Sequence, residues 1–201
     1  MKASILYVPG FVSDPDEAFR VLSTELDWEK RDAPRQEYYC NDINKTYIYG
    51  NGKGRRSYDP RPWHEVILKI RRALELRTST VYEVCFLNRY LNQSDQLGWH
   101  SDDSPEMDDA RFIAVVSLGV EREIWFRPKP LATSLPVRTT ETKFSSDVEK
   151  LKLQHGSLCL MDAGMQDTWQ HRIPKASFLC GERISLTFRG YVDNGVTNAL
   201  E

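Results

Sequence analysis

The chain has 201 residues, of which 40% are hydrophobic and 28% charged, and its formal net charge is −2. This composition is typical of a soluble globular protein of one domain, or one domain with an appended subdomain, and excludes a disordered chain. The near-neutral charge argues against a protein wholly dedicated to coating nucleic acid. The apolar N-terminal stretch is short and interrupted by Pro9 and Gly10. We therefore expect neither secretion nor membrane insertion.

The first third of the chain predicts one strand and two helices. A strand is expected at Ile5–Val8, followed by a helix that Ser13 or Asp14 caps. The tyrosine- and glycine-rich stretch 31–62 has no clear periodicity and is typical of loops. From 63 to 77, apolar residues recur at helical spacing and predict the second amphipathic helix.

After residue 80 the pattern changes to short strands. The predicted strands are Val81–Tyr90, Trp99–Asp102, Phe112–Leu118, Glu123–Arg127, Val148–Gln154, Ser157–Asp162 and Arg183–Tyr191. The stretch 128–146, rich in Pro, Ser and Thr, predicts a long surface connection. Seven short strands after two helices indicate a mainly β (α+β) domain: a β-sandwich or jelly roll with an N-terminal helical layer.

The cysteine spacing bears on the redox state of the protein, and the charge distribution bears on its ligands. The four cysteines, at 40, 85, 159 and 180, form no CxxC pair, which favours buried reduced thiols in a cytosolic protein. Nine Lys/Arg lie between Lys45 and Arg77, whereas five acids and no Lys or Arg lie between His100 and Asp109. Such patches would suit a polyanion and a cation-binding pocket, or simply a solvated charged surface.

The triplet His100-Ser101-Asp102 is the first chemical signal. On a strand, residues i and i+2 share a face, so the imidazole and the carboxylate would converge. A second histidine from another strand would complete the set of two nitrogens and one oxygen that suits non-haem Fe(II). Alone the triplet is weak evidence, because a chain of this composition contains one by chance about once in five.

Two strands carry polar groups on one face. By period 2, Asn88 and Tyr90 end one face of the strand Val81–Tyr90. The segment RISLTFR places four residues on one face: Arg183, Ser185, Thr187 and Arg189. A buried arginine needs an anionic partner. The two arginines lie roughly 20 Å apart along the backbone, so their side chains could bracket a dicarboxylate from opposite ends.

Four segments, taken in order, resemble motifs of the AlkB family of Fe(II)- and 2-oxoglutarate-dependent dioxygenases, which dealkylate nucleic-acid bases. They are NRY (88–90), GWHSDD (98–103), WQHRIPK (169–175) and RISLTFR (183–189). The resemblance implies a double-stranded β-helix with N-terminal helices and a nucleotide-recognition lid. It also implies Fe(II) as the metal, with 2-oxoglutarate and O₂ as co-substrates.

The resemblance assigns roles by position. It implies that the iron ligands, which would also be the catalytic residues, are His100, Asp102 and His171. It implies that the groups holding 2-oxoglutarate are Asn88, Tyr90, Arg183, Ser185 and Arg189. Within that set, Arg183 would bind the distal carboxylate and Arg189 would be the second, site-closing arginine. Ser185 stands where relatives often have Asn, a change from which we expect a small effect.

The resemblance extends to the lid. Segments 34–40 and 46–50 are similar to segments that carry base-contacting aromatics in relatives, so Tyr47 and Tyr49 are candidate substrate contacts. A stacked base would gain about 1–3 kcal/mol, although loop packing explains either tyrosine equally well. We expect a single domain over 1–201, with the lid at about 31–62 and the catalytic core at about 80–191.

One departure bears on base choice. Many relatives carry an acid two positions after the aspartate ligand, where this chain has Ser104. Asp103 or Glu106 could take that role, and Trp99 is a further candidate that could shape the pocket. Of the remaining histidines, His155 is expected to be a hydrogen-bonded core residue.

His64, at a helix start, is expected to be a capping or surface residue.

Overall, the resemblance implies oxidative removal of alkyl groups from bases such as 1-methyladenine and 3-methylcytosine, releasing formaldehyde in DNA alkylation repair. The partner would be single- or double-stranded DNA, or RNA. The alternatives are the same chemistry on RNA or on a protein or lipid side chain, a non-catalytic binding module of this fold, and a cupin-like protein with a fortuitous triplet. We expect a monomer located in the cytoplasm, or in the nucleus of a eukaryote.

Overall fold

The computed structural model describes residues 2–31, 33–49, 55–130 and 148–192. Within these ranges the strands are β1 (Ile5–Val8), β2 (Glu29–Lys30), β3 (Gln36–Asn41), β4 (Tyr47–Tyr49), β5 (Arg56–Tyr58), β6 (Val84–Tyr90), β7 (Leu97–His100), β8 (Ile113–Gly119), β9 (Arg122–Pro128), β10 (Glu149–Leu153), β11 (Ser157–Met161), β12 (Trp169–Ile173) and β13 (Arg183–Arg189). The helices are α1 (Pro15–Glu25), α2 (Glu65–Thr78) and α3 (Met165–Thr168).

The strands form two facing sheets and a hairpin. The large sheet has the order β1-β11-β8-β13-β6-β3-β2, the small sheet has the order β10-β9-β12-β7, and β4 pairs with β5. All ladder pairings between these strands are antiparallel. Along the chain, β6 to β13 pass back and forth between the two sheets, which is the path of a jelly roll. The predicted double-stranded β-helix with N-terminal helices is confirmed.

The large sheet is buried on both faces. One face packs against α1 and α2 through residues such as Leu22, Ile70 and Leu186, and the other faces the small sheet through residues such as Val115 and Phe126. Strands covered on both faces have near-continuous apolar sequences, and β8 (IAVVSLG) has one. The helices cover the outer face, and a cavity between the two sheets is lined by residues of both, such as Asn88 and His171.

The two predicted helices form for local reasons. The Asp14 carboxylate accepts a hydrogen bond from the Glu17 amide at 3.2 Å, so Asp14 caps α1 ahead of Pro15. The His64 ring accepts one from the Val66 amide at 3.2 Å, which makes His64 the predicted cap and starts α2 two residues later than expected. Helix α2 ends at Thr78, one residue beyond its predicted end at 77.

Two expectations were wrong in detail. The stretch 31–62 is not all loop, because β3 joins the large sheet and β4 and β5 form a hairpin. The strand expected over Trp99–Asp102 ends at His100, so Asp102 lies in the following loop.

Strand β12 was missed because it has only five residues, of which two are polar and face outward. Helix α3 was missed because it has only four residues. Of the predicted connection 128–146, residues 131–146 lie outside the described ranges. Cys40, Cys85 and Cys159 are buried and Cys180 is partly exposed, and all four thiols are free. Among the described residues no helix has the length and apolarity needed to span a membrane.

Candidate active site

Two strands of the small sheet bring two histidines side by side. His171 of β12 is the register partner of His100 of β7, and their ring centres lie 4.2 Å apart. The Asp102 carboxylate lies 3.6 Å from His171 Nε2 and 3.9 Å from His100 Nε2. One ligand atom from each of the three residues falls within 4.8 Å of the others, as a shared metal ion requires.

The loop that carries Asp102 is held in place by hydrogen bonds to its neighbours. The Ser101 hydroxyl donates to the Trp169 carbonyl at 2.9 Å, and the Asp102 amide donates to the Gln166 side-chain oxygen at 2.9 Å. Gln166 is buried and belongs to α3, the helix that the sequence did not reveal. The carboxylate is therefore positioned by tertiary contacts and not by the strand geometry assumed from the triplet.

Both imidazoles turn Nε2 towards the Asp102 carboxylate. His100 Nδ1 lies 2.9 Å from the Gly98 carbonyl oxygen, which only accepts, so Nδ1 donates there and Nε2 is left facing the cluster. Burial, reinforced by the neighbouring His100, lowers the pKa of His171 to about 3. His171 is therefore neutral at physiological pH.

Arg189 of β13 faces the same carboxylate. Its Nη1 lies 3.5 Å from Asp102 Oδ1, and its guanidinium sits 5.3 Å from the centre of the Tyr47 ring. Burial alone would raise the pKa of the Asp102 carboxyl, but the Arg189 charge and the two histidines hold that pKa below its usual value. Asp102 is therefore ionised and able to act as an anionic ligand.

Arg183, at the other end of β13, is completely buried. Its Nη2 donates to the Ser117 hydroxyl at 2.8 Å, while Nε and Nη1 meet no hydrogen-bond acceptor among the described residues. Burial lowers the pKa of Arg183 to about 10, which still leaves it cationic at neutral pH. A buried cation with two unused donors is costly without an anion, so this residue fits an anionic ligand.

The remaining predicted 2-oxoglutarate residues line the same cavity between the sheets as Arg183 and the His–Asp–His cluster; they are Asn88, Tyr90, Ser185 and Arg189. Asn88 and Ser185 are register partners on β6 and β13. The Tyr90 hydroxyl is buried and has no hydrogen-bond partner among the described residues. The structure thus brings the predicted ligand-binding groups into one cavity.

Arg35 also lines the cavity and pairs with Glu37 behind it, and sequence reasoning missed both. Arg35 Nε donates to Asn88 Oδ1 at 2.5 Å, and Arg35 Nη2 lies 2.7 Å from Glu37, which is almost completely buried. The alternation of Glu37 and Tyr39 on one face of β3, continued by Arg35 just before the strand, was the signal that could have found them. Arg35 leaves the Asn88 amide nitrogen free to donate into the cavity.

The hairpin β4–β5 covers one side of the cavity. Tyr47 and Tyr49, the predicted base contacts, both line it. Tyr47 is buried and stacks between Tyr39 and Tyr58, at ring distances of 5.6 and 6.1 Å, so packing accounts for much of its contact area. Tyr49 is less buried and borders both the cavity and its outer mouth.

Trp99 and Asp103 lie at the outer mouth and not in the inner cavity. Asp103 is exposed and pairs with Lys129 at 2.9 Å. Ser104 lies 2.7 Å from the Tyr47 hydroxyl, and one carboxylate oxygen of Glu106 is buried without a hydrogen-bond partner among the described residues. Asp103 and Trp99 therefore border the entrance, where any contact with substrate would be made.

The two other histidines lie outside this cavity. His155 accepts a hydrogen bond from the Gly119 amide at 2.8 Å and lies 3.1 Å from Asp16, so it is hydrogen-bonded as expected, but it is partly exposed and not in the core. His64 caps α2.

Comparison with known proteins agrees with this geometry. Residues 6–189 match the 2OG-Fe(II) oxygenase superfamily. The chain belongs to that superfamily. The resemblance to the AlkB family is also confirmed: the "Alpha-ketoglutarate-dependent dioxygenase alkB homolog 3" of Bos taurus is 32% identical over 187 residues, which cover 90% of this chain and 64% of that protein.

A second relative is the "DNA oxidative demethylase ALKBH2" of Bos taurus, 29% identical over 189 residues, which cover 88% of this chain and 64% of that protein. The chain thus spans less than two thirds of the length of these two relatives. The solved structure of OsALKBH1 has the same fold, with a TM-score of 0.61 at 16% identity, covering 95% of this chain and 98% of that one.

The superfamily uses Fe(II) and 2-oxoglutarate, and the residues here fit both. Two imidazole nitrogens and one carboxylate form the ligand set that suits non-haem Fe(II). The unused donors of Arg183, in the same cavity, suit the far carboxylate of 2-oxoglutarate.

Proposed function

We propose that this protein is an Fe(II)- and 2-oxoglutarate-dependent dioxygenase that oxidatively removes alkyl groups from ring nitrogens of nucleic-acid bases. The observation that carries the proposal is a single cavity containing the His–Asp–His cluster, a fully buried arginine with unused donors, and a wall of tyrosines. The names of the relatives, an alpha-ketoglutarate-dependent dioxygenase and a DNA oxidative demethylase, support the reaction class and DNA as a substrate.

The metal would be held by His100, Asp102 and His171, which leaves the opposite positions open to co-substrates. When bound, Fe(II) with 2-oxoglutarate and O₂ supplies the oxidising power that hydroxylates the alkyl carbon. The hydrogen bond from His100 to the Gly98 carbonyl fixes its tautomer, and Gln166 holds the loop of Asp102. These contacts would keep the ligand atoms convergent in the absence of substrate.

The co-substrate would be oriented by the β13 and β6 side chains. Arg183 can present a planar pair of N–H donors to a carboxylate, which a lysine cannot do. Asn88, oriented by Arg35, and Tyr90 offer further donors from the neighbouring strand. Arg189 would add positive charge close to the metal ligands while keeping Asp102 ionised.

The target base would enter beside Tyr49 and below the hairpin. Base stacking on an aromatic ring contributes about 1–3 kcal/mol, comparable to the energy needed to unstack a base. The Glu106 carboxylate at the cavity mouth would favour a base that carries positive charge, such as 1-methyladenine or 3-methylcytosine. A hydroxymethyl group on a ring nitrogen then leaves as formaldehyde, and the nitrogen regains its proton or lone pair.

The test is mass spectrometry of a single-stranded oligonucleotide that contains 1-methyladenine, incubated with protein, Fe(II), 2-oxoglutarate and ascorbate. We expect loss of the methyl group and release of formaldehyde, both dependent on iron and 2-oxoglutarate, and no loss with Asp102→Ala. Methyl retention with continued formation of succinate would reject nucleic acid as the substrate. Retention without succinate would indicate a non-catalytic module. Competition by methylated DNA and RNA oligonucleotides would then separate those two substrates.

A further inference from the structure

The outer face of the small sheet carries alternating cations and tryptophans, which we call the cation–aromatic row. Its members are Lys150 (β10), Trp125 and Arg127 (β9), Arg172 (β12) and Trp99 (β7). Lys150 lies 4.2 Å from the Trp125 ring centre, and the Arg172 guanidinium also lies 4.2 Å from it. Arg172 and Arg127 lie 4.8 and 4.3 Å from the Trp99 ring.

The row follows from strand alternation. On β9, Ile124 and Phe126 are buried between the sheets, so Trp125 and Arg127 point outward. Register aligns the cations, because Trp125 is the partner of Lys150 on one side and of Arg172 on the other. The row therefore crosses the sheet from β10 towards β7.

Within the described ranges, the cations of the row have no anionic partner. Among the ion pairs of the described residues, none involves Arg127, Lys150 or Arg172. Arg127 donates to the neutral side-chain oxygen of Gln170, and Arg172 Nε is buried without a hydrogen-bond partner among the described residues. Burial and the charge of Arg127 lower the pKa of Arg172, which reflects uncompensated positive charge.

The row begins at the mouth of the active-site cavity. Trp99 and Gln170 border the mouth together with His100, so a strand leaving the cavity over this edge meets the row next. The helical part of the basic sequence stretch is placed differently. Lys69 and Arg72 belong to α2, which covers the face of the large sheet away from the cavity.

We propose that the cation–aromatic row binds the phosphodiester backbone of the nucleic-acid strand on one side of the target nucleotide. The inference rests on the proposed function for its ligand class. The Arg172 guanidinium already covers the Trp99 and Trp125 rings, so these rings are not free to stack on bases. The N–H groups at the edges of the guanidinium groups remain available, and such donors suit phosphate oxygens. Binding would be independent of sequence and sensitive to salt.

The direct test is binding, which needs no turnover. The variant Arg127→Gln/Lys150→Gln removes two cations of the row and leaves the metal ligands and their sequence neighbours unchanged. Its matched control, Lys69→Gln/Arg72→Gln, makes the same charge change on α2. Fluorescence anisotropy would follow binding of an unmodified single-stranded oligothymidylate of about 15 nucleotides at several salt concentrations.

For the row variant we expect the slope of log K against log salt concentration to fall in magnitude by about 1.4, or about 0.7 for each lost phosphate contact. We also expect its affinity for the oligonucleotide at about 50 mM salt to fall about 10- to 100-fold. The control should bind like the wild type, and both variants should keep the wild-type unfolding midpoint. Wild-type slope and affinity in the row variant would overturn the inference.

Turnover separates this inference from the function on which it rests. With a methylated trinucleotide, too short to cover the row, the row variant should retain wild-type kcat/KM, while the advantage of the longer substrate is lost. The wild-type protein could demethylate neither substrate while the row variant still binds the oligonucleotide more weakly. That result would support the row as a backbone-binding surface and reject the proposed demethylase function. A wild-type protein that binds no oligonucleotide would overturn both.

Discussion

The side-chain hydroxyl groups of Tyr47 and Ser104 lie 2.7 Å apart. This contact joins the hairpin β4–β5 to the loop that follows Asp102. The Tyr47 ring also lies 5.3 Å from the guanidinium of Arg189, which in turn faces the Asp102 carboxylate. Tyr47 therefore connects the hairpin to the metal-ligand cluster in two ways, through Arg189 and through Ser104. Ser104 stands where many relatives carry an acidic residue.

The Tyr47–Ser104 contact predicts non-additive mutants. Tyr47→Phe and Ser104→Ala should each lower kcat/KM for the methylated oligonucleotide about 3- to 10-fold, because each removes the same net hydrogen bond of about 0.5–1.5 kcal/mol. The double variant should lose no more than either single variant. Kinetics at saturating 2-oxoglutarate would measure this, and additive losses would mean that the hydroxyls act independently.

His171→Ala should abolish turnover and leave the fold nearly intact. It removes one of three ligand atoms from the cluster, so metal affinity should fall steeply, as an anaerobic titration with Co(II) followed by absorbance would detect. His155→Ala is the control, because His155 is hydrogen-bonded to the Gly119 amide outside the cavity and should leave activity unchanged. Wild-type activity in His171→Ala would remove that residue from the metal site.

Arg183→Met should have opposite effects on ligand binding and on stability. The KM for 2-oxoglutarate should rise about 10- to 100-fold through loss of a charge-assisted anchor. The ligand-free protein should lose little stability or gain some, because an incompletely paired buried charge disappears. Arg122→Met is the contrast: Arg122 donates to the Asp95 carbonyl at 3.0 Å, so its loss should cost about 1–3 kcal/mol in urea unfolding. An unchanged KM in Arg183→Met would place the carboxylate anchor elsewhere.

Gly119 predicts a purely structural effect at the end of β8. Its φ is +86°, and a Cβ there would lie 2.7 Å from a ring carbon of Phe19 and against the Glu182 carbonyl. Gly119→Ala should therefore lower the free energy of unfolding by about 2–4 kcal/mol through backbone strain and overpacking. Gly181→Ala, with nothing within 4 Å of the added carbon, is the control and should change stability by less than about 1 kcal/mol. Equal effects at both positions would contradict this explanation.

Local sequence determined the features that depend on neighbouring residues. The caps at Asp14 and His64 and the apolar spacing of α1 and α2 were readable, because helix starts and amphipathic faces are set within a few residues. Period 2 was enough to place Arg183 and Arg189 on one face of β13. The motif resemblance then named the His–Asp–His cluster before any strand pairing was known.

Only the tertiary structure decided which of these groups meet. Period 2 identifies a strand's faces and not its partner, so nothing local reveals that His171 lies opposite His100. Asp102 lies beyond the end of β7. Its loop is held by a distant helix residue, Gln166, whose side-chain oxygen accepts a hydrogen bond from the Asp102 amide. The charge on Arg35 is likewise informative only once β3 pairs with β6 and brings it to Asn88. Sequence patterns report local geometry, whereas a site assembled from several strands depends on register and long-range pairing, which the fold alone supplies.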